Sequence, residues 1–187
     1  MAAFLCYGDS MIVIPILLFF LFLFGYFFYK HYSHKVRRNL TKKKYEQNRL
    51  LWNDFLTSQA SLFSELTTLD KDKLLNSILV FYSEKNWHES IEEEQRILTS
   101  YYACLPIFKR KTNYYPSIKS IDHTWPFEKW LEFNEKQFEI DFGKLALKEM
   151  NGDFSKLSLM YFERAQELES SKPLVYENLN KFYRLRD

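Results

Sequence analysis

The histidines, cysteines and glycines of this chain limit the chemistry it can do. His31, His34, His88 and His123 include no pair four residues apart. The H-E-x-x-H arrangement, two histidines on one helical turn holding zinc with the glutamate as base, is therefore not written here. His88-Glu89-Ser90-Ile91-Glu92 offers half of it, with Glu92 where the second histidine would stand. His123 follows Asp122, an acid and a base side by side, but no nucleophile is placed to use them. His88, His123, Asp122 and Glu89 are the residues from which an unorthodox zinc site would have to be drawn. His31 and His34 sit one turn apart among cations, which suits a membrane interface better than a metal. Cys6 and Cys104 cannot build a disulfide framework or a cysteine-based zinc site. Cys104, between Ala103 and Leu105, reads as a buried small hydrophobe. Four glycines (Gly8, Gly25, Gly143, Gly152) leave no phosphate-cradling loop. The expectation is no catalytic residue, no metal and no cofactor.

The elements that must carry these residues begin with a membrane span. Residues 11–29, MIVIPILLFFLFLFGYFFY, hold no charge. About 20 helical residues cross a bilayer core of about 30 Å, and the backbone must be helical to satisfy its own hydrogen bonds there. Pro15 is expected in the first turn, where its missing donor costs little. Tyr26 and Tyr29 suit the aromatic belt. A cleaved signal peptide would need a basic start and a small-residue cleavage site, and Tyr29-Lys30-His31 provides none.

Residues 30–44 follow with seven bases and no acid: Lys30, Lys35, Arg37, Arg38, Lys42, Lys43 and Lys44. The positive-inside bias puts this flank in the cytoplasm and residues 1–10 outside. Anionic lipid is the expected partner of the collar, at about 1 kcal/mol per base near the surface. The net charge of +2 then divides: one acid in residues 1–29, seven bases in the collar, and 19 bases against 23 acids in residues 45–187. The basic balance belongs to the collar, and nucleic acid is not an expected partner.

Residues 45–187 suffice for one domain with a core, and their apolar spacing is mostly helical. Leu50, Leu51, Phe55 and Leu56 predict a helix that continues the span. Thr67 or Thr68 should cap a helix to Lys85 with Leu74, Leu75, Ile78, Leu79 and Tyr82 on one face. Asn86-Trp87-His88 reads as a loop. Ser90 is a cap for a helix that opens with Glu92, Glu93 and Glu94 and ends near Cys104. Residues 107–121 read as a loop with at most a short strand. Thr124 should cap a helix over 126–150, with Phe127, Trp130, Leu131, Phe138, Phe142 and Leu145 inward and Asn151-Gly152 ending it. Asp153 should cap the next, with Phe154, Leu157, Met160 and Tyr161 inward. Ser171 and Pro173 should start the last, with Leu174, Tyr176, Leu179, Phe182 and Tyr183 inward. The expected fold class is thus mainly α, one transmembrane helix followed by a helical domain. Glu128, Glu132 and Glu135 with Trp125 and Trp130 form a candidate partner surface, although i,i+3 and i,i+4 pairing with Lys129 and Lys136 explains the acids as a solvated face.

The final helices carry a resemblance. Phe154 to Arg164, then Pro173-Leu174-Val175-Tyr176, then Leu179 to Tyr183, resemble the close of the MtfA-like zinc peptidases, where a helix of the type FFAVASEYFFERP precedes P-x-L-Y-x-x-L-x-x-F-Y. Arg96 to Phe108 is similar to that family's R-x-x-x-A-x-A-C-L-P-I-F helix, Trp52 and the helix over 69–85 also match, and Tyr114-Tyr115-Pro116 looks like the lead into its strand. Several members carry an N-terminal membrane anchor. The resemblance implies a zincin-like fold, zinc and peptidase activity, and a bacterial inner membrane. The chain departs from it at the centre. Between Pro116 and Trp125 there is no room for the strand, cleft and active-site helix of relatives, and Leu159 stands where the resemblance puts the third zinc ligand, a glutamate.

The expected function is therefore a non-catalytic scaffold, regulatory or accessory protein on the membrane, bound to another membrane or cytosolic protein. Two alternatives stand beside it: a zinc peptidase with unorthodox ligands, and a small subunit that docks into a larger membrane complex through its Phe-rich span.

Overall fold

The computed structural model describes residues 7–109, 115–150 and 153–184, apart from the side chains of 7–13, 31, 34 and 184. The expected Asn151-Gly152 helix stop and Tyr114 lie outside them. The chain divides into two units, one up to Lys43 and one from Lys44.

The first unit is one helix, α1 (Tyr7–Lys44), 38 residues long. Its stretch from Ile14 on is long and apolar enough to cross a bilayer, a property that anchors and signal sequences share. From Ile14 to Phe28 the large apolar side chains other than Leu23 are exposed, since no protein covers them. The helix extends on both sides of the expected span and takes in the whole collar. Pro15 consequently lies inside the helix rather than in its first turn. The expected continuation into the next helix fails: α1 stops at Lys44, and Tyr45 leads into a 3-10 turn, Glu46–Asn48.

The second unit is mainly α, as expected. Its elements are α2 (Arg49–Gln59), α3 (Ser61–Ser64), α4 (Thr68–Glu84), β1 (Asn86–Trp87), α5 (Glu93–Cys104), β2 (Ser120–Ile121), α6 (Phe127–Glu149), α7 (Phe154–Glu163), α8 (Ala165–Ser171) and α9 (Pro173–Arg184). On α2, Trp52 and Leu56 face the core, while Leu50 and Leu51 stay exposed. The four-residue spacing of Trp52 and Leu56 sets the buried stripe, and Leu50 and Leu51 fall on other faces of the turn. Thr67 caps α4, its Oγ1 accepting from the Asp70 amide at 3.2 Å, and Leu74, Leu75, Ile78 and Leu79 are all buried.

Two expected caps are replaced. Glu92, not Ser90, caps α5 in a reciprocal box with Gln95, because Glu at N-cap and Gln at N3 answer one another's amides. Ser90 Oγ instead meets His88 Nδ1 at 2.8 Å. At α6 the cap position is Pro126 with no side-chain bond, and Thr124 is two residues too early and exposed. Asp153 holds the cap position of α7 but makes no capping bond.

Of the segment expected as a loop at 86–88, Asn86 and Trp87 form a strand and His88 does not. β1 pairs in parallel with β2, Asn86 opposite Ser120 and Trp87 opposite Ile121. The space before Trp125 thus does hold a strand, two residues long. Lys85 fastens this region. It is buried, and its ammonium donates to the carbonyls of Tyr115 (2.9 Å) and Ile118 (2.8 Å). Tyr115 has φ 49°, a left-handed conformation that a bulky residue adopts only when its surroundings impose it. Its hydroxyl donates to the Ala103 carbonyl at 3.0 Å and accepts from Asn134 Nδ2 at 3.3 Å.

α6 packs on α7 and α9, α4 on α5, and α8 on α9. Gly143 interrupts α6 with φ 84° and ψ 167°, backbone open essentially to glycine alone. The break rotates the last turns, so Leu145, expected inward, is exposed. α8 was not expected: Ser171 ends it rather than starting α9, and only Leu168 anchors it in the core. α9 begins at Pro173, and Val175 takes the inward place expected for Leu174, which is exposed. Val175, Leu179 and Phe182–Tyr183 repeat at three and four residues, which leaves Leu174 off the stripe.

Candidate functional site

The parallel strands bring two of the histidine segments to one sheet end. The His88 amide donates to the Ile121 carbonyl at 3.0 Å, so Asp122 and His123 follow directly beside His88. Their side chains are nevertheless committed locally. His88 Nδ1 meets Ser90 Oγ, and the Trp125 indole N–H donates to His123 Nε2 at 2.8 Å. The His123 lone pair facing Trp125 is thus used, and the neutral ring carries its proton on Nδ1. His88, Glu89, Asp122 and His123 are all exposed.

Catalytic zinc takes three protein ligands that converge on one point, with a fourth position open. Among the described residues no three His, Cys, Asp or Glu side chains are so arranged. The described donors do not fit catalytic zinc. Cys104 is buried on α5, and burial holds its thiol well above its ordinary range, with Lys85 pulling weakly the other way. A protonated, enclosed thiol is neither ligand nor nucleophile.

The candidate partner surface divides. Trp130 is a core residue, fully enclosed, so it is removed from that surface. Its ring packs edge-on against Phe81 at 5.5 Å, and α6 turns it inward with Leu131 and Phe138. Trp125 is half-buried, 4.9 Å from the Trp130 ring and stacked on the exposed Phe133 at 5.6 Å. Glu132 pairs with Lys129 at 2.6 Å, the expected solvated arrangement, and Glu135 is half-buried.

Glu128 has a different setting. It lines a groove of about 550 Å³ walled by the end of α2 and α3 (Gln59 to Glu65), Tyr101 and Tyr102 of α5, the start of α6, and Leu159 and Glu163 of α7. Leu159 is the residue that the MtfA-like resemblance aligns with a zinc ligand, and here it supplies apolar wall. Glu65 and Glu163 join Glu128 in the same groove. Sequence reading did not single out these two or Tyr101. They come from three separate helices, and no local spacing connects them. Tyr101 is enclosed, and its hydroxyl has no hydrogen-bond partner among the described residues. Burial, with Tyr102 and Glu65 nearby, holds that hydroxyl far above its ordinary range.

The collar residues Lys30, Lys35, Arg37, Arg38, Lys42, Lys43 and Lys44 all lie on α1 with Tyr26 and Tyr29. His31 and His34 lie on it too, with side chains outside those described.

No curated protein and no solved structure matches the chain. A family comparison does: residues 33–126, half of the chain, match the glucose-regulated metallo-peptidase M90 family. The match runs from the collar through α5 and β2 and ends just before α6, so α6 to α9 lie beyond it. On that match, and on the helices it covers, the chain belongs to the glucose-regulated metallo-peptidase M90 family.

Proposed function

We propose that this chain is a non-catalytic member of its family, anchored in a membrane by α1 and working as a scaffold, regulatory or accessory protein. The observation that carries the reading is the groove around Leu159. At the position that the resemblance gives to a metal ligand, a leucine packs as wall. His88 and His123, the remaining candidates, make local bonds at the end of the two-stranded sheet. The charge distribution supports an N-terminus outside and the helical domain inside, through the positive-inside bias of residues 30–44.

The test is metal analysis and peptide hydrolysis on the full-length protein purified in detergent. The expected result is zinc far below one equivalent and no cleavage of unstructured peptides above a buffer control, unchanged by His88→Ala with His123→Ala. One equivalent of zinc that disappears with those substitutions, together with peptidase activity, would overturn the proposal. Accessibility of epitope tags at the two ends, in intact cells and after permeabilisation, tests the orientation.

A further inference from the structure

We propose that the groove bounded by α2, α3, α5, α6 and α7 binds a cationic peptide segment of a partner protein, whose Lys or Arg heads meet Glu65, Glu128 and Glu163 while their stems lie on Phe127 and Leu159. This deepens the accessory reading, on which it rests, by giving the partner a chemistry.

Charge complementarity is the first support. The groove lining contains three carboxylates and no base. Some acids of this unit have cations: Asp70 meets Lys109 at 2.9 Å, Asp72 meets Arg49 at 2.8 Å, and Glu167 meets Arg164 at 3.3 Å. Glu65, Glu128 and Glu163 have no such partner among the described residues. All three are exposed, so their charge is open to a cationic guest. The carboxylates do not converge on a point as a metal requires, so the guest's charge must be spread.

The second support is independent of charge. Tyr101 lines the groove, is enclosed to 1 % exposure, and keeps a hydroxyl without a partner among the described residues. A buried donor left unpaired carries a free-energy cost that a new acceptor would remove. The hydroxyl is itself enclosed, so a main-chain carbonyl laid along the groove would accept from it only once the Tyr101 ring turned toward the groove.

Shape and wall chemistry choose the guest. About 550 Å³ lies within the roughly 300–1,000 Å³ of ligand clefts. Ala60, Leu62, Pro126, Phe127 and Leu159 make part of the wall apolar. Aliphatic stems of Lys and Arg cover such surface while their heads stay polar. Tyr102, half-buried on the same wall, offers a ring to a guanidinium.

The experiment measures binding of a fluorescein-labelled nine-residue peptide of alternating Lys/Arg and Leu to the full-length protein in nanodiscs of neutral lipid. Anisotropy is read beside an acidic peptide in which Glu replaces each base. The expected result is saturable binding of the basic peptide only, weakened at least tenfold by Glu65→Gln/Glu128→Gln/Glu163→Gln, by Glu128→Lys alone, and by 0.5 M salt. Tyr101→Phe should weaken it two- to fivefold. Circular dichroism confirms the fold of each variant, and the exposed Glu128 makes its single substitution the safeguard. A peptide of residues 30–44 that competes for the same site would support the groove and identify a second copy as a partner. Equal binding of the acidic peptide, binding that survives both Glu variants, or saturation by Mg²⁺ alone would overturn the proposal. Cleavage of the bound peptide would overturn the non-catalytic reading while leaving the groove assignment to the Glu variants. Absence of binding without cleavage would do the reverse.

Discussion

Replacing Lys85 with methionine isolates the contact that holds the strand pair. Methionine keeps most of the stem and removes the ammonium, leaving the Tyr115 and Ile118 carbonyls without their donor at 2.9 and 2.8 Å. Each hydrogen bond from a charged group contributes about 1.5–3 kcal/mol. Relief from burying an ammonium offsets several kcal/mol of the pair. Tyr115 and Ile118 are half-buried, so water reaches part of what is left. Two such bonds are worth about 3–6 kcal/mol together, and the offset brings the net loss down to about 2 kcal/mol. At roughly 3 °C per kcal/mol for a domain of this size, Tm falls by about 6 °C. The loss should be local first. Lys85 is followed directly by β1, whose Asn86 amide donates to the Lys119 carbonyl and whose neighbour His88 donates to the Ile121 carbonyl. Thermal melts of the detergent-solubilised protein give the first number, and amide hydrogen exchange gives the second. Faster exchange at Asn86 and His88 is expected, with α4 amides unchanged. A variant within 1 °C of the parent, with both amides still protected, would refute the role assigned to Lys85.

Gly143→Ala meets no atom within 4 Å, so its cost is backbone strain alone, about 1–3 kcal/mol, read as a lowered urea midpoint; an unchanged midpoint would mean that α6 is not broken there. Ser158→Ala removes a buried hydroxyl without a partner among the described residues and should be neutral or stabilising by up to about 1 kcal/mol, whereas a loss above that in the same titration would reveal a bond to Ser158. Alkaline pH should destabilise the fold. Burial holds the protons on Cys104 and Tyr101 above their ordinary values of 9.0 and 10.0, so the unfolded chain releases them first. Stability is full below about pH 9 and declines as pH rises through the unfolded values. Cys104→Ala should flatten the first part of that decline in urea midpoints taken from pH 8 to 11, and an identical slope in both proteins would contradict it.

The helices were legible where one local rule decides them. Thr67-x-x-Asp70 announces the start of α4, and Leu74, Leu75, Ile78 and Leu79 announce its inner face, because cap and stripe sit within one segment. Glu92-x-x-Gln95 carried the same kind of message, but Ser90 is the commoner cap residue and drew the assignment away. β1 was not legible: two residues have no periodicity, and their partners lie 34 positions on. Leu145 was misplaced since a single φ at Gly143 resets the phase of everything after it. Trp130 stands both on the expected inward stripe and in the candidate partner surface, because spacing places it on the helix stripe but does not say what covers it; the structure decides for the core. The groove needs residues from several helices at once, so of its lining only Glu128, marked for its charge, and Leu159, marked by the resemblance, stand out in the sequence.

The unbroken α1 turns the collar into a ruler. At about 1.5 Å per residue, an upright helix that leaves the apolar layer at Tyr29 lifts Lys35 about 9 Å and Lys44 about 22 Å from it. Surface potential decays over a Debye length of about 8 Å at physiological salt. Only Lys30 and its nearest followers would then feel the lipid charge fully, and the seven bases could not each contribute the roughly 1 kcal/mol of a base held at the surface. The far bases, Lys42, Lys43 and Lys44, would instead present a fixed positive charge to the aqueous phase, a rigid stand-off set by helix length. Lipid affinity should therefore depend on tilt, and inserting residues that break the helix near Arg38 should strengthen adhesion to anionic vesicles by letting the distal bases settle.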